Sequence, residues 1–182
     1  MSNRYSHQKK KGKKVKEEEL RPVDRYFLEL DQLFPSPGNR LGYCVSLFLL
    51  YFGVMGCIWM IPFPQIGLLV RMEMNDFLNW GSFFIAITIY IYLKLAPTLS
   101  YMILFCLAIM SFFIVRLEYI QWDGGPAVVL VCSLIAVASF ILLCLLAARE
   151  PKKITLKDLW KLISIGPIWL WSKLFTKLGW KY

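Results

Sequence analysis

Histidine is almost missing from this chain. The only one in 182 residues is His7, inside a lysine-rich tail, so a His-based metal centre, a Ser-His-Asp triad or a Cys-His pair cannot be assembled from the body of the sequence. There is no Walker loop and no GxGxxG, which removes the common phosphate cradles. Charge is scarce where the chain is apolar: residues 41–148 hold seven of the 33 Lys, Arg, Asp and Glu. The polar side chains within the apolar runs are uncharged (Ser46, Asn79, Ser82, Thr88, Ser100, Ser111, Ser133, Ser139), whereas ion and proton pathways usually carry intramembrane ionisable groups. The five cysteines, Cys44, Cys57, Cys106, Cys132 and Cys144, form no CxxC and read as small apolar residues rather than disulfides or ligands. No cofactor and no metal are expected.

What the chain has is hydrophobicity, 58% of its residues against roughly 45 to 50% in ordinary soluble domains. Crossing a hydrocarbon core takes an apolar run of about 20 residues, and four segments qualify: Leu41 to about Pro62, Phe77 to Leu93, about Leu95 to Val115, and Pro126 to about Ala148. The expected fold is all-α and integral to a membrane, a four-helix transmembrane bundle with cytoplasmic amphipathic helices at both ends. The second and third runs are so close that they form an antiparallel hairpin. Small residues at Gly53, Gly56, Cys132, Ala136 and Ser139 suit close helix packing.

Four crossings put both ends on one side. Nineteen Lys and Arg belong to that side with its Lys94 loop, against Arg71 and Arg116 on the other, so the positive-inside rule places both tails in the cytoplasm. The net charge of +9 is thereby an orientation signal rather than a nucleic-acid signal, with attraction to anionic lipid headgroups as its second meaning. No cleavable signal peptide is expected, because the first apolar run starts after residue 40; Glu17, Glu18 and Glu19 argue against a mitochondrial presequence. A bacterial inner membrane is the favoured location, the endoplasmic reticulum the alternative.

Residues 1–20 pair a lysine run with an acidic run and have little to bury, which predicts disorder. From Pro22 the apolar positions Val23, Tyr26, Phe27, Leu30, Leu33 and Phe34 recur at helical spacing, so 21–36 should hold an amphipathic helix stopped by Pro35 and Pro37. At the other end, Thr155 and Asp158 have capping-box spacing. Leu156, Leu159, Trp160 and Ile163 then mark an apolar face, and 162–171 is almost wholly apolar. That run is too short to cross. Trp160, Trp169, Trp171 and Trp180 among lysines suit a helix lying in the interface, so 151–182 should form two helical pieces with a kink or break at Gly166 and Pro167. The contacts expected at the membrane surface or with a partner are Tyr26, Phe27, Leu30, Trp160, Trp169, Trp171, Lys173 and Lys177.

One polar cluster is expected on the outer side, with Arg71, Glu73 and Asp76 in the first loop and Arg116, Glu118 and Asp123 near the end of the third run. Arg116 and Glu118 are two residues apart and point to different helix faces, leaving Glu118 to reach Arg71. The simplest reading is a solvated ion-pair collar; a catalytic carboxylate is the sharper one. Trp122 to Pro126 reads as a tight reversal.

The order Pro37, Gly38, Asn39, Arg40, Leu41 after a short amphipathic helix resembles the membrane family of 2-hydroxy fatty acid dioxygenases, whose His-x-Asn-Pro-x-Asn-x-x-x-His motif leads into a hydrophobic span. That family is similar again in an aromatic C-terminal segment with Gly-Pro or Ala-Pro closing on Leu-Gly-aromatic, as Gly166-Pro167 and Leu178-Gly179-Trp180 do here. Phe34 and Tyr43 stand where the motif places its histidines, so the resemblance implies that iron-dependent oxygenase activity is gone. The expectation is a non-enzymatic scaffold or accessory subunit of a larger membrane complex, with other integral membrane proteins and membrane lipids as partners. A lipid-modifying enzyme of that family using non-histidine residues is the alternative, and a small-molecule transporter the third reading.

Overall fold

A computed structural model describes residues 21–64 and 79–180. The tail 1–20 and the loop residues Arg71, Glu73 and Asp76 lie outside them. Every element among the described residues is helical: α1 (Pro22–Leu33), a short 3-10 turn (Pro37–Asn39), α2 (Arg40–Trp59), α3 (Trp80–Leu95), α4 (Pro97–Trp122), α5 (Val128–Ala148) and α6 (Leu156–Lys177).

Three helices are long and apolar enough to cross a membrane: Pro37–Trp59, which joins the 3-10 turn to α2, together with α4 and α5. An integral membrane protein is what such helices make. α3 has 16 residues, about 24 Å at 1.5 Å per residue, and is shorter than the others. α4 runs two turns past the end expected at Val115, to Trp122, because Arg116, Glu118 and Gln121 are good helix formers and a charge ends an apolar run without ending a helix. It stops at Gly124, whose φ of 92° is the left-handed turn that glycine tolerates. Gln121 then accepts a hydrogen bond from the Val128 N–H at 2.7 Å, joining the end of α4 to the first turn of α5.

The helix directions follow from glycines. A Cβ on Gly42 would meet Leu146, one on Gly53 would lie 2.6 Å from the Cys132 carbonyl and 2.8 Å from the Ala136 methyl, and one on Gly56 would meet the Cys132 sulfur. α2 and α5 are therefore antiparallel and pressed backbone to backbone, the close approach that small residues permit. α4 and α5 are joined by a short reversal, so α4 runs parallel to α2. Ala96 alone separates α3 from α4, and the Ala96 N–H still bonds to the Tyr92 carbonyl at 2.8 Å. α3 thus returns the chain to the end of the bundle where α2 began.

α1 and α6 both pack at that end. α1 buries Val23, Phe27 and Leu30; Pro22 opens it, where a missing N–H costs nothing. α6 opens with the capping box that its sequence announces: the Thr155 hydroxyl accepts from the Asp158 N–H, and the Asp158 carboxylate accepts from the Thr155 N–H at 3.0 Å. Contrary to the two expected pieces, α6 is one helix with Pro167 inside it.

Candidate functional site

The polar chemistry of the described chain collects at the end where α1 and α6 lie. Glu150, two residues past α5, is only 7% exposed. Its carboxylate accepts from the Tyr43 hydroxyl at 3.0 Å, the Asn39 amide at 3.1 Å and the Ser36 N–H at 3.4 Å. Burial disfavours its charged form, but the bonds from Asn39, Ser36 and Tyr43 outweigh that and hold the carboxyl below its ordinary range. One side chain thereby fastens the segment entering α2 to the segment leaving α5.

A second joint ties α1 to α6. Asp31 accepts from the Trp169 indole N–H at 3.2 Å and from the Lys173 ammonium, and Glu29 pairs with Lys161 at 2.9 Å near the solvent. Trp169 is fully buried, with its one polar atom bonded to the carboxylate, as a buried indole requires.

The third joint explains the unbroken α6. Pro167 has no N–H for the carbonyl four residues earlier, that of Ile163, an omission that ordinarily weakens or kinks a helix. Here the Tyr51 hydroxyl lies 3.0 Å from that carbonyl, and the Tyr92 hydroxyl lies 2.8 Å from the Ser164 carbonyl. The two hydroxyls are also 2.9 Å apart. Two protons serve three contacts, so one contact at a time goes without a proton. Residues of neighbouring helices restore the freed carbonyl, the arrangement by which apolar surroundings tolerate proline. Tyr51 lies eleven residues beyond Arg40, about 17 Å along the axis. Even with the ring leaning back toward its N-terminus, this seats the middle of α6 well inside the bundle.

Beside this joint, α2, α4 and α6 enclose a groove of about 910 Å³, at the upper end of the range for small-molecule sites. Its walls are apolar, among them Leu47, Phe48, Ile103, Leu107, Leu170 and Trp171, with Arg40, Lys173 and Lys177 as its charged residues. Leu41, Phe48 and Leu174, all lining it, are exposed, so the groove opens to the surface. Cys44 and Cys106 stand on its walls. Cys44 is exposed and Cys132 buried, so the cysteines are not uniformly interior.

The residues singled out from the sequence divide accordingly. Phe27, Leu30 and Trp169 are interior to the chain and hold α1 on α6; their apolar stripes found each other, which removes them from the outer surface. Tyr26 and Trp160 are 39% and 69% exposed. Trp171, Lys173 and Lys177 line the groove. Arg71 and Glu73 are outside the described residues. Arg116 sits over the Phe112 ring, 5.4 Å from its centre, and neither it nor Glu118 makes an ion pair with another described residue. Glu150, Asp31, Tyr51 and Tyr92 were not singled out by sequence reasoning, and Arg40 only as part of the dioxygenase resemblance, yet they form the joints and part of the groove's charge.

At the positions where the dioxygenase motif carries histidines, Phe34 and Tyr43 pack edge to face, ring centres 5.2 Å apart. The Phe34 ring offers no donor atom and the Tyr43 hydroxyl is spent on Glu150, so these residues do not fit an iron held by histidines. No group of three or more His, Cys, Asp and Glu gathers among the described residues. Comparisons of the chain with protein-family models, with characterised proteins and with solved structures return no match.

Proposed function

We propose that this chain is a four-crossing membrane protein with both termini cytoplasmic, serving as a non-catalytic scaffold or accessory subunit of a larger membrane complex. Four crossings are supported by parity: α1 and α6 meet at one end of the bundle, so an odd number of crossings would separate segments that touch. The apolar 16-residue helix α3 supplies the fourth. The lysine-rich flanks support the cytoplasmic assignment.

The observation that carries the reading is the platform made by α1 and α6. Asp31 and Glu29 of α1 are tied to Trp169, Lys173 and Lys161 of α6, which gives a firm base, while Tyr26, Leu28, Leu156 and Trp160 stay exposed beside the exposed Lys157. Aromatic residues presented on a rigid support are the usual anchors of a protein interface. The test is purification of the tagged full-length chain from its native membrane in mild detergent, alongside a Tyr26→Ala/Trp160→Ala variant. A recurrent stoichiometric partner, lost with the variant, is the expected result. A chain that runs alone as a monomer refutes the proposal, and turnover of 2-hydroxy fatty acids dependent on added Fe(II) replaces it with the lipid-modifying reading.

A further inference from the structure

A groove walled by three apolar helices needs an occupant, and the charges at its mouth say which. Gly166 of α6 sits against Leu47, more than one turn into α2, whereas the last residue of α6, Lys177, lines the same groove as the first residue of α2, Arg40. α6 therefore climbs from the deep part of the groove to its mouth, and both cations lie at the shallow end. No carboxylate lines the groove. Lys173 is already neutralised by Asp31, but Arg40 and Lys177 have no ion-pair partner among the described residues.

Arg40 is the more telling of the two. Its Nε is buried and has no hydrogen-bond partner among the described residues, although an unmatched buried donor of a charged group is costly. It also stands at the N-terminus of α2, where the helix dipole adds to the attraction for an anion. The mouth is thus cationic and incompletely satisfied, the floor apolar, and the volume that of a sizeable ligand.

We infer that this groove binds an anionic phospholipid, its acyl portion lying along α2, α4 and α6 and its phosphate held by Arg40 and Lys177. This site is distinct from the exposed platform residues proposed to meet a protein partner, since Tyr26, Leu28, Leu156 and Trp160 do not line the groove. The lipid is an amphiphile of the required pattern: hydrocarbon for walls that are mostly apolar, and a phosphate that accepts from the Arg40 fork. A zwitterionic lipid fills the walls equally well and satisfies the mouth less.

The experiment titrates the full-length protein in mild detergent with phosphatidylglycerol and with phosphatidylcholine of matched chains, counting bound lipid by native mass spectrometry. The first phosphatidylglycerol should bind roughly tenfold more tightly than the first phosphatidylcholine, in line with the attraction two cations exert on an anionic headgroup. Arg40→Gln/Lys177→Gln should abolish that preference, weakening phosphatidylglycerol several-fold more than phosphatidylcholine. A second measurement needs no variant: phosphatidylglycerol should slow N-ethylmaleimide labelling of Cys44 and Cys106 several-fold more than phosphatidylcholine does, with Cys144 unaffected. Equal binding of the two lipids overturns the inference. So does a preference that survives the double substitution, or a cross-link from Cys44 to the chain's own 17–19 acidic run that persists in saturating phosphatidylglycerol.

Discussion

Replacing Glu150 tests the architecture most directly, because one carboxylate joins the start of the bundle to its end. In Glu150→Ala, the Tyr43 hydroxyl and the Asn39 amide lose their acceptor, as does the Ser36 N–H. Tyr43 is fully buried, so its hydroxyl meets no water in compensation, whereas Asn39 is partly exposed and recovers some of its loss. A buried donor left unmatched costs about 1 to 3 kcal/mol; with one fully and one partly orphaned side chain, the expected loss is about 2 to 4 kcal/mol. For a chain of this size that corresponds to roughly 5 to 15 °C in thermal midpoint, measured in mild detergent by the combined emission of its seven tryptophans. Glu150→Gln keeps the shape and one acceptor and should lose less.

The two variants also separate charge from shape through pH. The folded Glu150 carboxyl titrates below its ordinary value of 4.5, so its ionised form is bound more tightly by the folded chain. That stability is fully present above the ordinary value and disappears as pH falls through the lowered folded value. The wild-type advantage over Glu150→Gln should therefore shrink on acidification through that window and be constant above it. A Glu150→Ala midpoint within about 1 °C of wild type, too small for even one orphaned donor, would refute the joint. An advantage over Glu150→Gln that is independent of pH would refute the assigned charge.

Gly53→Ala forces a methyl to within 2.6 Å of the Cys132 carbonyl and 2.7 Å of the Ala136 nitrogen; because both are backbone atoms, α2 and α5 must part, and the thermal midpoint should drop well below that of the open-space control Gly38→Ala. Trp169→Phe keeps the ring in the core but deletes the bond to Asp31, and chemical denaturation should show a loss of about 1.5 to 3 kcal/mol for a hydrogen bond to a charged group, with Glu29→Ala at the solvent-exposed pair showing no measurable change. Tyr51→Phe and Tyr92→Phe should each destabilise the chain, and the double substitution should depart from the sum of the two. A cycle of the four proteins that proves additive would refute the shared-proton arrangement.

Much of the fold is legible from periodicity alone. Apolar runs mark the helices that contain them, Pro22 and the Thr155–Asp158 pair announce two helix starts, and Gly53, Gly56, Cys132 and Ala136 announce a close crossing. The errors have local causes. The end of α4 is hidden because hydropathy reports where an apolar run stops, and Arg116 stops it two turns before the backbone does. Pro167 misleads because its effect depends on a tyrosine more than a hundred residues away; Tyr51 reads as one more aromatic in an apolar run, and nothing near Pro167 says that a hydroxyl will meet the Ile163 carbonyl. Glu150 had a signal, as one of only two acidic residues after position 148 and one placed directly behind an apolar helix. Its donors at positions 36, 39 and 43 are dispersed polar residues whose convergence is purely tertiary. The groove is the least legible part, since a residue facing lipid and a residue facing a cavity between helices have the same composition.

All three joints share a feature that bears on how the molecule is assembled. The partners that close them are separated by 72 to 142 residues: Tyr92 with Ser164 at one extreme, Asp31 with Lys173 at the other. No joint can form until α5 has returned the chain to its starting end, since Glu150 and α6 follow it. The hairpin of α3 and α4, linked by Ala96, needs no such wait. The local contacts therefore come first and the closing contacts last, the order that loop-closure entropy favours. Until α6 arrives, Asp31 lacks its donors and the Tyr51–Tyr92 hydroxyl pair has a proton with no carbonyl to receive it. A polar hydroxyl without a partner in apolar surroundings is unfavourable, which gives the unfinished bundle a drive to accept α6 at the level of Tyr51 rather than at its rim. Pro167 supplies the matching need from the other side, an open carbonyl at Ile163. The proline that looked like a break in the sequence thus leaves open the carbonyl that Tyr51 meets in the finished fold.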